Sequence, residues 1–206
     1  MADSTSESES GTRSRTRRAI IEAAVLAFGR QRNASLGEIA IEAKVARSTL
    51  HRYFPDREAL IRAMADDLLE LVERTVDEAD LGTGPPRLAF QRLIAGWFEL
   101  GPRLFFLFNE PSLGSPEQAP WVKDFFARLD QAGKPLEGLI ARGHAEGVFA
   151  QSLPPAWINR MLWWSVYIAC EAVAEGEFTR YAAPAILLQT LETGLLTPGA
   201  GDPTRG

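Results

Sequence analysis

The chain has 206 residues, 46% of them hydrophobic, and a formal charge of −5. It can bury a substantial core, as one helical domain or as a small headpiece on a larger body, and the charge taken alone argues against nucleic acid. A single cysteine, Cys170, excludes an internal disulfide and fits a reducing cytoplasm; the polar opening "MADSTSESESG" excludes a signal peptide, and the longest apolar stretch, Met161 to Cys170, is far short of the ~20 residues of a membrane span.

In chain order, residues 1–11 are rich in Ser and Glu with almost nothing to bury, so a disordered tail is expected. "TRSRTRR" follows, and its arginines, Arg13, Arg15, Arg17 and Arg18, either form an arm for phosphates or a minor groove or decorate the start of a first helix in solvent. That helix presents Ile20, Ala24, Ala27 and Phe28 at helical spacing. Ser35 and Glu38 then form a capping box that starts a second helix, with Ile39, Ala40 and Ala43 on its inner stripe. Lys44-Val45-Ala46 interrupts the pattern, and a third helix is predicted from about Arg47 to Phe54, Leu50 and Phe54 facing inward and Ser48 and Arg52 outward. Pro55 ends it and Asp56 caps a fourth helix running to about Ala79, whose first turn carries Arg57.

Two short helices, a tight turn and a cationic, hydroxyl-rich second helix within residues 35–54 are the layout of a helix-turn-helix DNA reader. The charge distribution agrees. Thr12 to Arg62 hold 11 basic and 5 acidic residues, whereas 63–206 hold 11 basic and 19 acidic, so phosphate attraction is local to the headpiece.

From "IIEAAVLAF" through "SLGEIA" to "STLHRYFPDREAL", roughly residues 12–65, the chain resembles the TetR (tetracycline-repressor) family of bacterial transcription regulators. The resemblance implies an all-α protein: a disordered tail over 1–11, a three-helix DNA-binding headpiece over 12–72, a larger ligand-binding and dimerisation body over 73–198, and a flexible tail over 199–206. It makes Arg47, Ser48, Thr49, His51, Arg52 and Tyr53 the DNA-facing set, with Ser35 and Arg57 as phosphate contacts beside it. There are departures. Lys44 stands where the family has Gly, so Lys must take a left-handed conformation; Ala46 leaves the recognition helix without a side-chain cap; His51 replaces a Tyr; and the loop before Ser35 lacks a Gly, for which Asn33 is the expected left-handed substitute.

Past "DLGTGPP", helices are predicted near Arg87–Leu100, Pro102–Phe108, Ala119–Gln131, Pro135–Gly147, Pro155–Glu175 and Pro184–Leu195. The aromatics Trp97, Phe98, Phe105, Phe125, Trp163 and Tyr167 serve either as core and dimer interface or as the lining of a pocket for an aromatic or hydrophobic effector, with Glu171 as its polar residue. The last two long helices are greasier than one body requires. Their stripes, Ile158, Leu162, Ser165 and Ala169 on one and Leu187 and Leu191 on the other, are expected to form the dimer interface that family members build from these helices.

An enzyme reading finds little: two histidines, no nucleophile elbow, no phosphate loop, no dinucleotide fingerprint, and too few ligands for a metal or any cofactor. The expectation is therefore a cytoplasmic, homodimeric, ligand-responsive repressor that binds a palindromic site on double-stranded DNA and is released by a small molecule. The alternative is a helical small-molecule-binding protein whose headpiece no longer reads DNA.

Overall fold

The computed structural model describes residues 3–114 and 119–195, with side chains described within 12–194. It holds ten helices among them: α1 (Asp3–Arg30), α2 (Leu36–Glu42), α3 (Arg47–Tyr53), α4 (Arg57–Ala79), α5 (Pro86–Glu99), α6 (Gly101–Phe108), α7 (Pro111–Gly114), α8 (Pro120–Ala145), α9 (Pro155–Ala174) and α10 (Ala183–Leu195). The expected tail over 199–206 lies outside the described residues, as do residues 1–2. From Asp3 onward the segment expected to be disordered continues α1. Once a helix is nucleated each added residue gains a backbone bond, and acidic residues near an N-terminus favour the dipole, so a tail with nothing to bury can still be helical.

The chain divides into two compact units, Met1–Asp67 with Phe106–Gly114, and Leu68–Phe105 with Ser115–Gly206. The first unit thus ends at Asp67 rather than 72 and takes in a segment that the sequence reading assigned to the body. Its core is built from Ile20, Ala24 and Phe28 of α1, Ile39 of α2, Leu50 of α3, and Leu60 and Met64 of α4. Phe106 stacks on Phe28, ring centroids 4.3 Å apart, which is why the 106–114 segment belongs here.

In the second unit α5 is the central helix, touching α8, α9 and α10. Ala89, Phe90, Leu93, Ile94 and Trp97 are each fully buried on it. Two arginines clasp the loop after α4: Arg92 donates from Nε to the Ala79 carbonyl at 2.9 Å, and Arg142 donates to the Leu81 and Gly84 carbonyls at 2.8 and 3.1 Å. Arg87 makes a two-pronged pair with Glu192, fixing α5 to α10 at 2.8 and 3.1 Å. That hydrogen bonding holds the Glu192 carboxyl below the ordinary carboxylate range against the opposing effect of burial.

One helix, α8, replaces the two predicted on either side of Pro135. Pro removes one backbone bond, a cost of about 3 kcal/mol. The buried stripe Val122, Phe125, Leu129, Leu136, Leu139 and Ile140 runs through it without a break, and burying those side chains outweighs the lost bond. Cys170 is core, its thiol pushed up to about 11 by burial, and Gly101 is where the start of α6 comes hard against its sulfur.

Candidate nucleic-acid interface

The Ser35 capping box is present in full. Glu38 N–H donates to Ser35 Oγ at 3.2 Å, and Ser35 N–H donates to the Glu38 carboxylate at 2.7 Å, which lowers the Glu38 pKa. α2 ends at Ala43, and Lys44 takes φ +55°, the left-handed conformation a tight turn requires. Asn33 does not. Positive φ outside glycine occurs among the described residues only at Lys44 and Asp80. The loop closes instead through Ala34 N–H donating to the Gln31 carbonyl, a turn that ordinary backbone angles permit.

α3 starts at Ala46 without a side-chain cap. It buries Leu50 and leaves Arg47, Ser48, His51 and Arg52 exposed, with Thr49 and Tyr53 half-buried beside them. The exposed side of this helix therefore gathers two guanidiniums, a hydroxyl and an imidazole, with the Thr49 hydroxyl and the Tyr53 phenol at its flanks. Arg52 lies 5.7 Å from the Tyr53 ring centroid, and His51 Nδ1 donates to the Pro55 carbonyl at 3.2 Å, which fixes the imidazole against the helix end. Asp56 caps α4 by accepting from Ala59 N–H at 2.8 Å.

The backbone of the arginine run is helical, so Arg13, Arg15, Arg17 and Arg18 ride on α1 and form no extended arm. Arg17 lies 5.7 Å over the Phe54 ring. Arg57 departs further from the expectation. Its guanidinium donates to the Arg32 and Ala34 carbonyls at 3.0 and 3.2 Å, lies 4.4 Å over the Phe28 ring, and sits 3.6 Å from the Glu110 carboxylate. Two of its N–H groups are thereby spent on the loop before Ser35, while the side chain stays 36% exposed.

Residues 20–64 match the family model described as bacterial regulatory proteins, tetR family. The transcriptional repressor LfrR of Mycolicibacterium smegmatis is 35% identical over 190 residues, spanning 92% of this chain and 95% of the relative. The chain belongs to the TetR family. As a member it is a DNA-binding transcription regulator, and the all-helical fold and the helix-turn-helix reading stand. The regulator NfxB of Pseudomonas aeruginosa is 28% identical over 190 residues, 90% of this chain and 95% of its own length. Among solved structures, TetR-like LfrR from Mycobacterium smegmatis in complex with proflavine superposes with a TM-score of 0.71 at 33% identity, covering 89% of this chain and 98% of that one.

In the body of this TetR protein, the aromatic residues fall into separate groups. Trp97 of α5 stacks on Trp163 of α9, centroids 4.1 Å apart, and Phe105 stacks on Tyr167 at 5.8 Å. Phe98 is buried core, and Phe125 packs edge-on against Phe126 within α8. Trp97 Nε1 and Asn159 Oδ1 are both buried and without hydrogen-bond partners. Glu171 is half-buried and follows Trp164 and Ile168 at helical spacing, which sets it on their face and apart from Trp97.

The dimer stripe needs correction. Ile158, Leu162, Leu187 and Leu191 are at most 5% exposed within the single chain, and Ser165 and Ala169 flank that stripe half-buried. Within these two helices the large apolar groups left on the surface are Trp157, Trp164 and Ile168 of α9 and Ile186 of α10. Both stripes of α9 are apolar, so periodicity finds two and only packing shows which one α5 and α10 cover. No helix among the described residues is long and apolar enough to cross a membrane.

Proposed function

We propose that this chain is a repressor that binds a two-fold-symmetric operator as a homodimer and releases it when a flat aromatic ligand enters the body. The observation that carries the reading is the outward face of α3, where Arg47, Ser48, Thr49, His51, Arg52 and Tyr53 stand together on one short helix. In a major groove such a set supplies both phosphate contacts and base readout, Arg52 to guanine being the commonest pairing of that kind. Ser35, exposed at the start of α2, is the phosphate contact of this reading beside α3, its hydroxyl turning to the DNA from the Glu38 carboxylate that it meets at 2.8 Å in the free protein.

Homodimerisation runs through the face of Trp157, Trp164, Ile168 and Ile186. An exposed apolar surface on two adjacent helices is what a four-helix interface covers, and a two-fold axis presents two recognition helices to a site of the same symmetry. The ligand class draws on the LfrR complex with proflavine and on the α5–α9 seam, where the stacked Trp97–Trp163 pair and the unpartnered Trp97 Nε1 and Asn159 Oδ1 offer a flat surface, a donor and an acceptor. Release is linkage. A ligand that prefers a conformation with the headpieces misplaced for successive grooves weakens DNA binding by the factor that DNA weakens ligand binding.

The test is to incubate the purified protein with fragmented host genomic DNA at physiological salt, with and without proflavine, and to sequence the bound fragments. The expected result is enrichment of a few sites sharing an inverted repeat, lost at proflavine concentrations that quench the tryptophans of the DNA-free protein and that leave an unrelated DNA-binding protein on its own fragment. Enrichment that tracks fragment length alone overturns operator recognition and favours a helical ligand-binding protein; enrichment indifferent to proflavine overturns the ligand class.

A further inference from the structure

Glu110 is the one charged side chain that is buried among the described residues, and the regulator reading leaves it without a role. It stands at the corner between α6 and α7, its N–H donating to the Leu107 carbonyl and its own carbonyl accepting from Leu113 N–H. A carboxylate withdrawn from water is costly unless a cation compensates it, and the cation here is Arg57, at 3.6 Å, with the two side chains 10% and 36% exposed.

Arg57 in turn touches almost everything that fixes the headpiece. It begins α4, covers Phe28 of α1, which stacks on Phe106 of α6 with the rings 2° from parallel, and ties down the carbonyls of Arg32 and Ala34. Ala34 directly precedes Ser35, the cap of α2, and α2 leads through the Lys44 turn into the recognition helix. A guanidinium paired with Glu110 and stacked on Phe28 therefore holds the backbone directly ahead of the cap of α2.

We propose that Arg57 and Glu110 form a latch that positions the helix-turn-helix for DNA, and that Arg57 is a positioning residue and no phosphate ligand. The proposal rests on DNA binding by the headpiece but not on ligand release. It carries a sign that simple electrostatics contradicts. Removing an acid from a DNA-binding unit should strengthen binding to a polyanion. Removing the acid of a latch should weaken binding to a chosen site.

The full chain is tested as wild type, Glu110→Gln, Arg57→Ala and the double variant. Each is titrated against the most enriched genomic fragment and against a random 30-base-pair duplex over a range of salt, with folding checked by circular dichroism. Glu110→Gln is expected to weaken the enriched fragment about tenfold and to leave the random duplex within about twofold. Arg57→Ala should keep the wild-type salt slope on the random duplex, and the double variant should lose no more than the worse single variant. Tighter binding of both DNAs by Glu110→Gln, a slope reduced by about one phosphate in Arg57→Ala, or losses that multiply in the double variant would each overturn the latch. If no fragment is enriched, operator recognition fails; the random-duplex slope and a double-mutant cycle in urea unfolding still decide, non-additive there supporting the latch and additive refuting it.

Discussion

The placement of the dimer face yields a prediction whose size follows from exposure. Trp164 is 54% exposed in the single chain. A tryptophan offers on the order of 200 Å², so roughly 100 Å² would leave water in each protomer when the face is covered. At about 25 cal/mol per Å² that is about 2.5 kcal/mol, and a two-fold interface doubles it to about 5 kcal/mol. Trp164→Ala should therefore raise the dimer dissociation constant by roughly three to four powers of ten, and should cost the monomer about 2 kcal/mol through the half of the ring already packed within the chain, edge-on to Tyr167. The control is Leu162→Ala on the opposite stripe, at 0% exposure. It should cost about 2–5 kcal/mol of folding stability through its cavity and leave the association of the folded chain alone. Sedimentation equilibrium over a concentration series reads the first effect, and urea unfolding reads the second. A Trp164→Ala dimer as tight as wild type, or a Leu162→Ala chain of unchanged stability that falls apart into monomers, would refute the assignment of faces.

Other outcomes follow from named contacts. Arg52→Ala should weaken an enriched operator by about 1–3 kcal/mol and relax the base preference at one position, with a smaller loss on random DNA; equal losses on both would remove Arg52 from base readout. Gly143→Ala would drive a Cβ into the Phe149 ring and should destabilise the chain by about 1–3 kcal/mol, seen as a lower thermal midpoint; an unchanged midpoint would show that the ring yields freely. The Glu192 carboxyl titrates lower in the folded chain than in the unfolded one, so its pairing with Arg87 stabilises above the unfolded value near 4.5 and is lost as pH falls through the folded value. Glu192→Gln should accordingly lower the melting temperature more at pH 7 than at pH 3, and an equal loss at both would exclude the ion pair as the cause.

The headpiece was legible because its signals are local. A capping box acts over four residues, a recognition helix shows its polar side within two turns, and the family's Gly at the position of Lys44 marks the left-handed turn that Lys44 takes. Asn33 was misread, and the partners of Arg57 were missed, for the opposite reason. The loop before Ser35 is closed by a plain turn and by carbonyls tied to an arginine more than twenty residues away, and no local pattern carries that bond. Glu110 could not be found at all from its neighbours, since a lone acid before a proline reads as surface.

What the sequence by itself determined is the all-helical class, most of the helices, the cationic outward side of α3 and the family, all of which depend on spacing along one segment. What only the tertiary structure decided is which side of each helix is spent on the chain's own core. On α9 both Ile158-Leu162 and Trp157-Trp164-Ile168 qualify as apolar stripes, and burial of the first leaves the second for a partner. In the headpiece, likewise, the meeting of Arg57 with Glu110 and Phe28 is a fact of packing that the local sequence does not carry. Amphipathic periodicity measures how far a helix can be buried, whereas the choice of what buries it is made by segments distant in sequence, through contacts that periodicity does not encode.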